Sequence, residues 1–93
     1  MPFVLIRQIH PLPGRETEAI DWYKETERFR QQAGQASQML LRNLVDHGEY
    51  QLVQEWASQT AYEAWKRSPE RERLLAERSR LLIHEPAKLY ELL

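Results

Sequence analysis

Two arginines stand among apolar residues, where a positive charge needs an explanation. Arg7 lies in a β-branched and apolar segment, and alternation along a strand places it on one face with three apolar side chains: Phe3, Leu5 and Ile9. An unpaired charge on a buried face is costly, so the guanidinium needs a partner. Three interpretations stay open: a protein carboxylate, a bound anionic or phenolic ligand, or a packed stem whose charged head reaches the rim.

Arg78 raises the same question on a helix. It lies within a stripe of leucines spaced i, i+1, i+7 and i+8: Leu74, Leu75, Leu81 and Leu82. The neighbouring Glu77 offers a local salt bridge, so a surface arginine with a packed stem is the alternative to a ligand contact. Two arginines on the core side favour an anion site more than either does alone.

Aromatic and amide side chains are the other candidate contacts for a small molecule. Trp22 and Tyr62 belong to a set of aromatic residues on elements that should surround one cavity, although such residues usually form core. Asn43 and Gln54 are predicted to face inward, where they would orient a substrate carbonyl or hydroxyl, or else satisfy each other. The other members of the aromatic set are Tyr23, Phe29, Trp56 and Trp65.

The sequence excludes several classes of chemistry. It has no cysteine, which removes disulfides, zinc ribbons and thiol catalysis. Its histidines have no metal-ligand spacing, and it contains no phosphate-binding glycine loop or Ser-His-Asp set, so no metal is expected. The 13 basic and 14 acidic residues lack the basic excess of a nucleic-acid binder. The alternating charges of Arg67–Arg73 indicate a solvated helix face.

The chain's 93 residues, 42% of them hydrophobic, fit one domain with one core. No apolar run approaches the roughly 20 residues of a membrane helix. Met1–Ile6 is too short for a signal peptide, so a cytoplasmic location without membrane contact is expected.

Hydrophobic periodicity and breaker residues predict the element order β-α-β-β-α-β. This is the ferredoxin-like arrangement, an α+β fold with an antiparallel four-stranded sheet and helices on one face. The predicted elements are a strand Phe3–His10, a helix Glu16–Ala33 ended by Gly34, strands Ser37–Asp46 and Glu49–Ala57, a helix from Ser58 or Thr60 that restarts at Pro69 and runs to about Ile83, and a strand Ala87–Leu92.

A two-residue turn at His47 and Gly48 would set the pairing of the two middle strands. It pairs Asn43 with Leu52 and places both on the face under the helices. The opposite face then carries three apolar residues: Leu40, Leu44 and Val53. That face is too apolar to stand in water and no third helix covers it, so we expect a homodimer joined sheet to sheet.

The segment Glu55–Pro69 resembles the antibiotic biosynthesis monooxygenase (ABM) family of dimeric α/β-barrel proteins. In that family a strand ending in a tryptophan, here Trp56, leads through a serine cap, here Ser58, into an aromatic-rich helix and a Ser-Pro break. The chain length, the element order and Gly14 agree, so the resemblance covers 1–93 as one ABM-like domain. It implies a barrel of paired sheets across a homodimer, and a pocket in each monomer between sheet and helices.

The resemblance also implies a function. Members include oxygenases that oxidise aromatic polyketides or quinols without metal or flavin. We therefore expect a monooxygenase that needs no cofactor and acts on a small phenol- or quinol-type aromatic molecule. Trp65 falls at the position of the pocket tryptophan of several active members, and we expect it to act in catalysis with Arg7. The expected substrate-binding residues are Arg78, Asn43, Gln54, Trp22 and Tyr62.

Other activities within the family give the alternatives. The haem-degrading branch needs an asparagine on the first strand and a histidine about three helical turns after the tryptophan. This chain has Arg7 and Leu75 at those positions, so haem degradation is not expected. The alternatives are a non-enzymatic or stress-associated dimer that binds a small aromatic molecule, and a dimer with a filled core and no pocket.

Overall fold

Strand β1 (Phe3–Pro11) is the middle of an antiparallel sheet in the computed structural model, which describes residues 1–93. One edge of β1 pairs with β3 (Tyr50–Trp56), which in turn pairs with β2 (Gln35–Arg42). The other edge pairs with two short strands, β4 (Leu82–Ile83) and β5 (Lys88–Glu91). The predicted ferredoxin-like arrangement is confirmed; β5 is the predicted last strand, and β4 is an additional short strand before it.

Three helices pack against the sheet: α1 (Glu16–Ala33), α2 (Gln59–Lys66) and α3 (Pro69–Arg78). The bounds of α1 are those predicted. The side chain of Ser58 caps α2 and that of Ser68 caps α3, and Pro69 takes the first position of α3. The prediction that this helix runs to Ile83 is wrong, because Leu82 and Ile83 pair with β1 instead. No helix combines the length and the apolar character needed to cross a membrane.

Gly34 ends α1 in a conformation that glycine adopts easily and other residues do not. Its φ is 121°, and its N–H donates to the carbonyl groups of Arg30 and Gln31. A Cβ added to Gly34 would lie 2.9 Å from the Cβ of Ala61 on α2. The glycine therefore allows both the turn and the close approach of α2.

We expect Gly34→Ala to destabilise the protein by about 1–3 kcal/mol through backbone strain, with a further loss from the overlap with Ala61. Urea unfolding measures this as a lower midpoint at unchanged slope. The matched control is Gly14→Ala, where φ is 79° but nothing lies within 4 Å of the added Cβ. Equal losses in the two variants would contradict a role for the contact with Ala61.

The pairing of β2 with β3 differs from the prediction. Leu52 lies opposite Leu40 rather than Asn43, a shift of three residues. A turn does form at His47 and Gly48, where the N–H of Glu49 donates to the carbonyl of Asp46 at 3.1 Å. It does not join the two strands directly, because residues 43–49 form a longer connection, so the predicted two-residue hairpin is wrong. Because side chains alternate along a strand, an odd shift exchanges the two faces of β2.

Side chains within the connection hold it in place. The Oδ1 atom of Asn43 accepts hydrogen bonds from the backbone N–H groups of Val45 and Asp46, at 2.8 and 3.0 Å. The Oδ1 atom of Asp46 accepts one from the N–H of Gly48 at 3.0 Å. Such local side-chain bonds compete with a tight hairpin and explain why the strands end early.

The shifted pairing changes which residues each sheet face carries. Leu40 packs against the core on the helix side, and Leu44 lies in the connection with 90% of its surface exposed. Both were predicted on the open face, and both placements are wrong. The open face of β2 carries Met39 and Leu41, which are about half exposed, and β3 adds the predicted Val53.

The core between sheet and helices is rich in aromatic side chains. Trp56 at the end of β3 is fully buried. Its ring lies 5.2 Å from that of Tyr62 and 6.4 Å from that of Trp65, both on α2. The ring of Phe3 on β1 lies 5.6 Å from Tyr62, edge to face. These contacts fix α2 against the middle of the sheet.

Candidate functional site

A cavity of about 40 Å³ lies between the buried sheet face and the helices. That is room for about three water molecules, and less than the ~150 Å³ that an apolar cavity needs to bind a benzene ring. Its walls come from β1, β3 and all three helices, and no aspartate, glutamate or histidine lines it. The wall includes one glutamine, two tyrosines and four arginines: Arg7, Arg30, Arg71 and Arg78.

Arg7 lies on the helix-facing side of β1, opposite Leu52, and is half-buried. Its Nε atom is buried and has no hydrogen-bond partner. The salt bridges of the chain join His10 to Glu85, Arg15 to Glu18 and Lys66 to Glu63, so none involves a cavity arginine. The interpretation that a protein carboxylate neutralises Arg7 is therefore wrong.

Arg30 differs from Arg7 because the protein satisfies it. It is 5% exposed, and burial lowers its pKa to about 10. Its Nε, Nη1 and Nη2 atoms donate four hydrogen bonds of 2.7–3.2 Å, to the side chains of Gln35, Thr26 and Gln38 and to the backbone carbonyl of Tyr23. Arg30 is therefore a positively charged side chain of the cavity wall that hydrogen bonds hold in one position.

Arg78 and Arg71 reach the cavity from α3, and both are half-buried. Burial lowers the pKa of Arg78, and the charges of Arg7 and Arg71 lower it further. Glu77, the residue expected to pair with Arg78, instead accepts a 2.9 Å hydrogen bond from Nε1 of Trp22. The prediction that Arg71 belongs to a wholly solvated helix face is wrong, because α3 docks with this residue turned toward the sheet.

The positive charges of these arginines also affect a residue outside the cavity wall. His84, which follows β4, has a pKa lowered from 6.5 first by burial and then by the charges of Arg78, Arg7 and Arg71. The charge of Glu85 acts in the opposite direction. His84 is therefore a natural reporter of charge in the cavity.

Tyr23 lines the cavity; the sequence places it in the aromatic set expected around a cavity, but not among the expected substrate-binding residues. Its hydroxyl is buried and has no hydrogen-bond partner, and its ring centre lies 5.5 Å from Cζ of Arg30. The spacing of Tyr23 and Arg30, two helical turns apart on α1, could have indicated a shared face. Nothing local in the sequence distinguishes these two from ordinary helix residues.

The structure brings six of the seven predicted site residues to this cavity: Arg7, Trp22, Gln54, Tyr62, Trp65 and Arg78. The amide of Gln54 is engaged, since it donates to Oε1 of Gln38 and accepts from Nε1 of Trp56, both at 3.0 Å. Asn43 lies apart, exposed in the connection after β2. Its predicted inward position is wrong, because the strand pairing is shifted.

The cavity wall contains hydrogen-bond donors that have no partner in the protein. Arg7, with an unpartnered buried N–H, and Tyr23, with an unpartnered buried hydroxyl, line the same cavity as Arg78, which no carboxylate pairs. Such a set is suited to bind and stabilise the oxygen atoms of an anion. No group of three or more histidine, aspartate or glutamate side chains is placed to hold a metal ion.

Comparison with known proteins agrees with this architecture. The sequence model of the antibiotic biosynthesis monooxygenase family matches residues 2–77. SnoaB from Streptomyces nogalater, described as a cofactor-independent oxygenase, superposes with a TM-score of 0.84 at 16% identity, covering 98% of this chain and 92% of that one. Mycobacterium tuberculosis Rv0793 gives a TM-score of 0.80 at 19% identity, over 100% and 96% of the two chains.

A conserved protein from Methanosarcina mazei Go1 gives a TM-score of 0.80 at 14% identity, covering 98% of this chain and 92% of that one. Identities this low establish the shared fold alone. No curated protein matches the chain significantly.

Proposed function

Because the chain belongs to the antibiotic biosynthesis monooxygenase family, we propose that it is a monooxygenase that needs no cofactor and acts on a small phenol or quinol in the arginine-lined cavity. The observation that carries this proposal is the buried Nε of Arg7, which lacks a partner in a cavity without any carboxylate. Arg7 and Arg78 would stabilise the phenolate form of the substrate, which is the electron-rich form that reacts with oxygen.

The electrons for the reaction come from the substrate. The phenolate passes one electron to dioxygen, and the resulting radical and superoxide join in a carbon–oxygen bond at a ring carbon that carries hydrogen. The peroxide takes up a proton and then loses water, which breaks the O–O and C–H bonds and leaves a carbonyl. One oxygen atom ends in the quinone and the other in water, so phenol and O₂ give quinone and water.

The aromatic residues would hold the substrate ring. Trp65 and Tyr62 on α2 and Trp22 on α1 belong to the apolar part of the wall. Trp65 would pack on the substrate ring and act in catalysis, and Gln54 lies within the same wall. Because the cavity is smaller than a ring, the half-buried side chains of α3, Arg71 and Leu75, would move to admit one.

We also propose that the protein acts as a homodimer joined through the open face of the sheet. Met39 and Leu41 are 55% and 47% exposed there, beside Val4, Ile6 and Val53. A contiguous apolar patch on a sheet is typical of an interface. A second copy of this chain would cover it and leave the arginine cavity of each copy on the other side of its sheet.

Oxygen consumption with a panel of simple phenols and a naphthoquinol tests the monooxygenase proposal. We expect protein-dependent uptake of one O₂ per quinone formed, with one atom of isotopically labelled dioxygen in the product. Arg7→Gln should reduce the rate by at least tenfold, whereas Arg15→Gln, at a surface ion pair, should not. If adding catalase returns part of the consumed oxygen, the reaction releases hydrogen peroxide instead of inserting oxygen. Oxygen uptake no faster than the protein-free rate would contradict the proposal.

A binding protein without catalysis is the second candidate, and one observation favours it. The cavity wall contains no carboxylate or imidazole that could accept a proton from a neutral phenol. Saturable binding of a phenol without oxygen uptake would identify this function.

A further inference from the structure

We propose that the cavity contains an oxyanion subsite sized for a carboxylate, and that its ligand enters already ionised from solution. This deepens the proposed function, on which it rests for the location of the substrate. The ligand class would be small aromatic or aliphatic acids, with the carboxylate seated among Arg7, Arg78 and the hydroxyl of Tyr23.

The first argument is the mismatch of donors and acceptors. Nε of Arg7 and the hydroxyl of Tyr23 are both buried in this wall without partners. Buried polar groups are almost always hydrogen-bonded, so two orphaned donors in one cavity indicate an absent acceptor. An oxygen atom supplied by the ligand would satisfy both donors.

The second argument is charge. Four arginines line the cavity and no acidic residue does. Arg30 is held by protein acceptors, which leaves Arg7, Arg71 and Arg78 without a compensating carboxylate. After burial, the charges of Arg7 and Arg71 lower the pKa of Arg78, as expected for arginines that line one cavity. A negative ligand would relieve this repulsion, and a neutral one would not.

The third argument is the absence of a proton acceptor combined with the cavity's size. Without an aspartate, glutamate or histidine in the wall, the protein has no carboxylate or imidazole with which to ionise a neutral ligand. The volume of about 40 Å³ accommodates a planar group of three heavy atoms without movement of the walls, and a ring only with movement. A carboxylate is already ionised in solution and has three heavy atoms, so it needs neither a proton acceptor in the wall nor movement of the walls.

Titration with benzoate, acetate and the neutral analogue benzyl alcohol tests the proposal, in a chloride-free zwitterionic buffer. Tryptophan fluorescence and the NMR titration of His84 report binding without any turnover. We expect benzoate or acetate to bind saturably at one site per chain and at least tenfold more tightly than benzyl alcohol. The bound anion should raise the pKa of His84, because it offsets the arginine charges that lower it.

Three variants and one control locate the subsite. Arg78→Gln and Arg7→Gln should each weaken acid binding by about tenfold or more, and Tyr23→Phe by a smaller factor. Tyr23→Phe removes only the hydroxyl and keeps the backbone carbonyl that binds Arg30, so folding should not be affected. Arg15→Gln should bind like the parent, because Arg15 lies at the surface beside Glu18.

The outcomes separate this inference from the proposed function. Equal affinity for benzoate and benzyl alcohol, no effect on His84, or equal losses in Arg15→Gln and Arg7→Gln would overturn the oxyanion subsite. Oxygen uptake with neutral phenols would leave the proposed function intact in that case. Binding of acetate but not benzoate would support the subsite and contradict an aromatic substrate.

Discussion

Replacing Arg7 with methionine should leave the thermal stability unchanged or raised, and should strongly weaken the binding of aromatic acids. The guanidinium is half-buried, with a buried Nε that finds no acceptor and no carboxylate beside it, so its removal strands no partner. Methionine matches the stem in size and packs in the same apolar surroundings. Ligand affinity should fall by roughly 10–150-fold, the loss expected from removing a hydrogen bond to a charged group.

The matched comparison for Arg7→Met is the same change at Arg30. Arg30 donates four hydrogen bonds to buried acceptors, so Arg30→Met should destabilise the protein by about 2–4 kcal/mol. Thermal melts with and without benzoate measure both effects. A loss in Arg7→Met as large as that in Arg30→Met would show a structural partner for Arg7, and unchanged ligand binding would remove Arg7 from the site.

Leu41→Glu should convert a dimer into a monomer or an insoluble protein. Leu41 lies on the open sheet face with 47% of its surface exposed, beside the equally apolar Met39. A buried, unpaired carboxylate in a sheet-to-sheet interface is costly. Sedimentation should give about twice 11.2 kDa for the parent protein and a mass near 11.2 kDa for a soluble Leu41→Glu.

Leu44→Glu is the control for this experiment. The sequence places Leu44 on the same open face, whereas the structure places it in the connection after β2, 90% exposed. The substitution there should leave the oligomeric state unchanged. A parent protein that sediments as a monomer at micromolar concentration would contradict the dimer, and equal disruption by both variants would contradict the observed strand pairing.

The sequence alone determined the order of the main elements and the face of β1 that carries the site. The bounds of α1 follow from apolar residues at steps of three and four and from Gly34. Alternation along β1 placed Arg7 with Phe3 and Leu5 on the buried face, because that periodicity depends on local backbone geometry only. Leu74 and Leu75 of the predicted leucine stripe likewise placed Arg78 toward the sheet, whereas Leu81 and Leu82 lie beyond the end of α3.

Only the tertiary structure decided which residues meet in the cavity. The pairing of Leu40 with Leu52 depends on a connection stabilised by Asn43, and this moved Asn43 itself away from the site. Arg71 turns inward because α3 docks at an angle that its alternating charges do not encode. Contacts between distant segments set strand register and helix docking, so a local pattern predicts an element's faces but not its neighbours.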